Sequence, residues 1–118
     1  MNIEEIREFC LSLPHATEDV KWGNDLTFCV GEKMFAVVVL EKSEQTAMSF
    51  KCTPEKFGEL VERDGIFPAP YVARYHWVAL ERFDALDQNE LKDLIKQSYS
   101  MVWTKLPNNV KKKLTVTV

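Results

Sequence analysis

Residues 26–40 read LTFCVGEKMFAVVVL, and this stretch decides the fold class. Large apolar residues alternate with Thr27 and Cys29 over 26–30, which is the period of a half-buried β-strand. Gly31-Glu32 leads into a second apolar run at 33–40, and glycine at the first central position suits a type II′ turn. The stretch therefore predicts a β-hairpin.

The flanking sequence predicts three helices and two further strands. Apolar residues spaced by three and four predict a first helix over about 2–13, which Pro14 ends. Thr53-Pro54 starts a helix over 54–64, and a long helix runs from 84–87 to Leu106. Strands are predicted at 47–50 and 76–82. The remaining segments are predicted to be an irregular connection at 15–25, a polar turn at 41–45, an irregular or edge segment at 66–72, and a short basic tail after 107–109.

The resulting order is α-β-β-β-α-β-α, and 118 residues suffice for one packed core. Adjacent strands joined by a hairpin favour an antiparallel sheet with helices packed on one face. We therefore expect a single α+β domain over residues 1–118. Pro68 and Pro70 disfavour pairing of the 66–72 edge with a second copy, so we expect a monomer.

Composition and charge indicate where the protein is located and which partners are disfavoured. The longest apolar run, 35–40, is far short of the ~20 residues that a membrane-spanning helix needs, and the first residues are acidic rather than basic. Three cysteines without a C-x-x-C pair do not form a disulfide framework, so reduced thiols and a cytoplasmic location are expected. The net charge of −3 gives no global attraction to nucleic acid.

Residues for common catalytic chemistry are scarce. His15 and His76 lie far from each other and at no metal-ligand spacing from a cysteine, so neither a metal nor a cofactor is expected. The three cysteines fall on predicted helix or strand positions, which favours buried, inert thiols. The four glycines never cluster into a phosphate-binding loop. Without a nucleophile and base that can be named together, the sequence predicts a protein that is not an enzyme.

One cluster differs from the rest, namely Arg74-Tyr75-His76-Trp77, where a predicted strand begins. Aromatic rings, an imidazole and a guanidinium can stack on bases, bind phosphates or line a small-molecule pocket. The alternative is structural: Tyr75 and Trp77 divide between the two faces of an edge strand, and His76 is a hydrogen-bonded core residue. The residues alone leave both interpretations open.

Four motifs recur together across nearly the whole chain: Lys21-Trp22-Gly23, the 31–36 stretch GEKMFA, His76-Trp77, and the 98–102 stretch SYSMV. In this combination the sequence resembles the MmcQ/YjbR family of small bacterial proteins. The resemblance implies a fold related to the frataxin-like CyaY, an α/β sandwich with a proposed double-wing arrangement. Members of that family are named as DNA-binding.

Two binding functions follow. The resemblance implies DNA binding through a local basic and aromatic patch, to which Lys33, Lys42, Lys51 and Arg74 would contribute. The alternative is a non-enzymatic module that holds a small anionic molecule in an aromatic cleft. A concave pocket would favour the second function, and flat, positively charged hairpin tips would favour the first. The residues expected to bind DNA or a ligand are Trp22, Lys33, Lys51, Arg74, Tyr75, His76 and Trp77.

Overall fold

The computed structural model describes residues 1–41 and 46–116. Lys42 and most of the polar turn expected at 41–45 lie outside the described residues. Two short 3-10 turns accompany the main elements, at Ala73–Tyr75 and Phe83–Ala85. The helices and strands are α1 (Ile3–Ser12), β1 (Thr17–Lys21), β2 (Asp25–Val30), β3 (Lys33–Val39), β4 (Met48–Lys51), α2 (Pro54–Leu60), β5 (Ile66–Pro68), β6 (Trp77–Leu80), α3 (Gln88–Lys105) and α4 (Asn108–Thr115).

Six strands form one sheet in the order β1-β2-β3-β4-β6-β5, and every neighbouring pair is antiparallel. The α+β class is therefore confirmed. Within the described ranges, no helix has the length and apolar character to cross a membrane.

The two faces of the sheet carry different cores. The inner face packs against α1, α2 and α3, and Phe28, Phe35 and Phe50 on it are completely buried. The outer face carries only a small apolar cluster of Val37, Ala69, Trp77 and Ala79. Among the described residues, no α-helix contributes to this cluster.

The predicted β2–β3 hairpin is confirmed, but its predicted turn type is wrong. Gly31 and Glu32 have φ values of +56° and +67°. A type II′ turn requires positive φ only at the first central residue, whereas type I′ requires it at both. A side chain at Gly31 would also collide with the chain that leaves α3, since a Cβ there would lie 2.7 Å from Leu106 Cδ1.

Strand β1 was missed by the sequence prediction, which placed an irregular connection at 15–25. Thr17–Lys21 is an edge strand with no buried residue. Period-two alternation appears in a sequence only when one face of the strand is buried, so this strand carries no such signal. The Lys21-Trp22-Gly23 motif forms the tight turn between β1 and β2.

Helix α4 was also missed, because Pro107 was taken to end helical structure. Proline is accommodated at the start of a helix, where its missing N–H has no partner to lose. Here Pro107 caps α4, and its carbonyl accepts hydrogen bonds from Val110 N and Lys111 N. The basic tail therefore belongs to a helix. Two other elements are shorter than predicted. Helix α2 ends at Leu60 instead of 64, because 3-10 hydrogen bonds tighten the chain directly after it, and β6 ends at Leu80 instead of 82.

Ser98 of α3 joins the long helix to two strands. Its completely buried hydroxyl donates to the carbonyl of Phe35 at 2.6 Å and accepts from the N–H of Lys51 at 3.1 Å. The register of β2 against β3 shifts by one residue between Phe28 and Cys29, so Phe35 lies in a β-bulge. A bulge removes a residue from the ladder, and its carbonyl here is bound by a side chain instead. The neighbouring Tyr99 donates to the carbonyl of Pro14 at 2.5 Å.

We expect Ser98→Ala to lower the free energy of unfolding by about 1–3 kcal/mol, because it leaves a buried carbonyl and a buried N–H without their shared partner. Ser100→Ala, at an exposed position on the same helix, is the matched control and should change stability little. Urea denaturation of both variants measures the difference. Equal stabilities would contradict the role given to Ser98.

Candidate functional site

The Arg74-Tyr75-His76-Trp77 cluster is not a continuous strand. Ala73–Tyr75 forms a 3-10 turn, His76 takes the left-handed conformation with φ +65°, and β6 begins only at Trp77. The predicted start of the strand at His76 is therefore wrong by one residue. The left-handed residue turns the chain so that neighbouring side chains diverge.

His76 points toward the helical layer. Its ring packs edge-on against Phe57 of α2, with ring centroids 5.7 Å apart, and its carbonyl accepts from Cys52 N at 2.9 Å. Tyr75 and Trp77 instead line one cleft together. The structural alternative for the aromatics is therefore wrong in detail, since Tyr75 and Trp77 share a side and β6 lies inside the sheet.

That cleft, which we call the lysine cleft, lies where β3 begins and where β4 and α3 end. Its volume is about 460 Å³, within the ~300–1,000 Å³ range of small-ligand pockets. Three amines lie among apolar and aromatic side chains. The lining residues are Lys33, Met34, Lys51, Val72, Tyr75, Trp77, Val102, Lys105, Leu106 and Pro107.

The lysine cleft is electropositive because three lysines line it and no carboxylate of the described residues does. None of its three amines forms an ion pair with another residue of the described ranges. Desolvation lowers the pKa of Lys51, and the positive charge of Lys105 lowers it further. Arg74 adds charge nearby, with its guanidinium carbon 4.8 Å from the centroid of the Tyr75 ring. An anion entering the cleft would relieve this repulsion.

A second cleft, the tryptophan cleft, adjoins the first on the outer face of the sheet and also measures about 460 Å³. The two clefts share Met34, Val72 and Trp77 as a common floor. The full lining is Trp22, Asp25, Met34, Val37, Ser49, Pro70, Tyr71, Val72 and Trp77. The two clefts therefore meet at these three shared residues.

Asp25 is the one carboxylate lining the tryptophan cleft. It stands at the start of β2, opposite Lys21 of β1 in the strand register. Its carboxylate forms no ion pair with any residue in 1–41 or 46–116. Desolvation raises its pKa. Half-burying a carboxylate without a partner costs free energy, which is typical of a site that recognises a ligand.

The structure brings most of the residues singled out from sequence to these clefts. Lys33, Lys51, Tyr75 and Trp77 line the lysine cleft, and Trp22 with Trp77 lines the tryptophan cleft. Arg74 lies outside as an exposed cation, and His76 lies away from both clefts. Lys105, Asp25 and Tyr71 were missed as site residues. Tyr71 stood next to the cluster, but only helix packing brings Lys105 to the hairpin.

The cysteines stay apart from the clefts. Cys10, Cys29 and Cys52 are buried, as predicted. Burial raises the pKa of Cys10 to about 12 and that of Cys52 to about 11. At neutral pH these thiols are protonated and poor nucleophiles. Across the described parts of the chain, no three histidine, cysteine or acidic side chains are placed to hold a metal ion.

Two other grooves of the described surface have mixed charge, and one of them combines Lys92 and Phe9 with Glu5 and Glu8. A groove of about 440 Å³ runs between Thr53 and α3, and its lining mixes Asp93 with Lys96. It contains none of the residues singled out from sequence.

Comparison with known proteins gives a consistent result. The family model described as YjbR matches residues 11–101. The chain is 25% identical over 116 residues to the uncharacterized protein YjbR of Escherichia coli K12, covering 97% of this chain and 98% of that protein. Its counterpart in Escherichia coli O157:H7 gives the same values.

Two solved structures share the fold. A Deinococcus radiodurans protein with a DUF419 domain aligns with a TM-score of 0.84 at 25% identity, over 98% of this chain and 89% of its own. A protein from Pseudomonas syringae aligns with a TM-score of 0.72 at 20% identity, over 86% of this chain and 99% of its own.

The raised pKa of Asp25 predicts a pH-dependent gain from Asp25→Asn. The folded protein favours the protonated carboxyl, so the stability linked to this group is present below the ordinary aspartate pKa and lost as pH rises through the folded-state pKa. The variant should therefore gain more stability over wild type at pH 7 than at pH 3. Urea denaturation at both pH values tests this, with the exposed Asp64→Asn as control. A gain independent of pH would contradict it.

Proposed function

The chain belongs to the YjbR family, and from that premise we propose that it is a non-enzymatic binding protein that captures a small anionic molecule with an apolar body in the lysine cleft. The observation that carries the proposal is the convergence of Lys33, Lys51 and Lys105 on one concave, aromatic-walled cleft without a carboxylate.

The cleft offers suitable partners for both the anionic group and the apolar body of such a ligand. Ammonium groups form charge-assisted hydrogen bonds to an anion, each contributing about 1.5–3 kcal/mol. Tyr75, Trp77 and Val102 offer apolar surface, whose burial contributes roughly 25 cal/mol per Å². The lysine amines would orient the anionic group of the ligand, and the apolar side chains would add to its affinity.

The same residues favour binding over catalysis. Among the described residues the lining includes no cysteine, serine, histidine or carboxylate, so its polar side chains are three lysine amines and the Tyr75 hydroxyl, which suit the binding of an anion. His76 does not line the cleft, and its ring packs against Phe57 of α2. We therefore propose retention of the ligand without chemical change.

A pair of fluorescent probes tests the role of charge. Anilinonaphthalene sulfonate and N-phenylnaphthylamine share an aromatic body, but only the first is anionic. Wild-type protein should bind the sulfonate more tightly. Lys51→Met combined with Lys105→Met should lower the affinity for anilinonaphthalene sulfonate about tenfold, equivalent to 1.4 kcal/mol. The affinity for the uncharged N-phenylnaphthylamine should stay nearly unchanged. Fluorescence titration gives both dissociation constants.

Lys96→Met is the matched control, because Lys96 lies on α3 but lines the other groove. This variant should bind both probes as wild type does. Loss of sulfonate binding in the control, or its retention in the double variant, would contradict the proposed function.

DNA binding is the second candidate, and one observation favours it. Helix α4 continues the positive charge of the cleft with Lys111, Lys112 and Lys113. Lys111 Nζ donates to the carbonyl of Thr104 at 3.0 Å, so the start of this run is held next to Lys105. A phosphate backbone passing the end of α3 would meet cations on both helices.

Its test is salt dependence. The logarithm of the affinity for a labelled duplex should fall linearly with the logarithm of salt concentration, with a slope of about −0.9 per phosphate contacted. Replacing Lys111, Lys112 and Lys113 with Gln should make that slope shallower. Fluorescence anisotropy measures it. Absence of salt-sensitive binding at low salt would reject DNA as the ligand.

A further inference from the structure

We propose that the tryptophan cleft binds a nucleobase and that the ligand spanning both clefts is a nucleotide, with its phosphate on the lysines and its base between Trp22 and Tyr71. This inference rests on the proposed function, because it takes the lysine cleft as the anion site. It adds the chemical class of the ligand.

Two large aromatic side chains stand in solvent at the rim of the tryptophan cleft. Trp22 is 72% exposed and Tyr71 is 99% exposed, yet both line it. They come from separate loops, the β1–β2 turn and the segment after β5. Two exposed aromatic rings that border one cleft from separate loops are suited to stack on a flat heterocycle.

The backbone at both positions is strained. Trp22 has φ +54° and Tyr71 has φ +69°, in the left-handed region that bulky residues avoid. Glycine or asparagine would adopt this conformation with less strain. Aromatic residues at two strained, exposed positions around one cleft therefore favour a role in binding over a role in packing.

Hydrogen-bonding groups lie at the base of the same cleft. Asp25 contributes a carboxylate and Ser49 a hydroxyl. A carboxylate can accept from two adjacent N–H donors, which guanine presents on its pairing edge and adenine does not. Guanine is therefore the base that we expect this cleft to prefer.

The arrangement of charge also fits a nucleotide. Asp25 lines the tryptophan cleft and not the lysine cleft, whereas Lys33, Lys51 and Lys105 line the lysine cleft and not the tryptophan cleft. A ligand that crosses the shared floor meets an acceptor at one end and cations at the other. A base joined through its sugar to a phosphate has this polarity, and the apolar floor of Met34, Val72 and Trp77 would lie under the sugar.

A free mononucleotide and a nucleotide within a single strand present the same chemistry. Isothermal titration calorimetry with guanosine 5′-monophosphate, adenosine 5′-monophosphate, guanosine and a short single-stranded deoxyguanosine oligonucleotide separates them. We expect guanosine monophosphate to bind more tightly than adenosine monophosphate and at least tenfold more tightly than guanosine. If only the oligonucleotide binds, and if the variants below weaken that binding, the ligand of the site is a single-stranded nucleic acid.

Substitutions in each cleft should have separable effects. Trp22→Asn and Tyr71→Asn remove a ring but keep a residue that tolerates positive φ, and each should weaken guanosine monophosphate at least tenfold. Asp25→Asn should abolish the preference for guanine over adenine without abolishing binding. The exposed Asp64→Asn is the control and should match wild type.

Failure of this inference is distinguishable from failure of the proposed function. If anilinonaphthalene sulfonate binds through Lys51 and Lys105 but no nucleotide or oligonucleotide does, the nucleotide assignment is wrong and the anion cleft stands. If neither probe nor nucleotide binds, both are wrong. Nucleotide binding that Trp22→Asn and Tyr71→Asn leave unchanged would also overturn the assignment of the base to the tryptophan cleft.

Discussion

The buried hydroxyl of Ser98 is the constraint on which the arrangement of the molecule depends. It holds α3 against the bulge at Phe35 and against the last residue of β4. The bulge lets the consecutive residues Phe35 and Ala36 both enter the inner core, while Met34 lines the outer face. Lys105 follows Ser98 by two helical turns and reaches the lysine cleft. One serine therefore sets the relative positions of β3, β4 and the end of α3, from which that cleft is built.

The division of the sheet into two unequal faces separates stability from binding. The inner face buries the large aromatic and aliphatic residues under the helices together with Cys10 and Cys52, and the His76 ring packs against Phe57 of α2. The outer face holds charges and rings that contribute little to packing, including an unpaired carboxylate and two strained aromatic residues. Features that cost stability are thus collected around two adjoining clefts, which is where a binding protein would be expected to carry them.

The sequence predicted those helices and strands that bury one face, because only they show a periodic pattern of apolar residues. The β2–β3 hairpin and the long helix have one buried face, so their periodicity was visible and the α+β class was correct. Thr17–Lys21 buries neither face, and α4 is a short helix with no buried residue that follows a proline directly, so neither was predicted. The basic and aromatic residues were recognisable by type, but their grouping was not. Placing His76 apart from Tyr75 required the left-handed turn, and placing Lys105 near Lys33 required the packing of α3.

The proposed binding of ligands on the outer face of the sheet is tested most directly by the three tryptophan indole N–H signals in a ¹H–¹⁵N spectrum. Trp22 and Trp77 line the clefts, whereas Trp103 stacks on His15 in the helical layer, with centroids 6.0 Å apart. On titration with guanosine 5′-monophosphate or anilinonaphthalene sulfonate, the signal of Trp77 should shift while that of Trp103 stays in place. A shift of Trp103 with Trp22 and Trp77 unchanged would contradict the account.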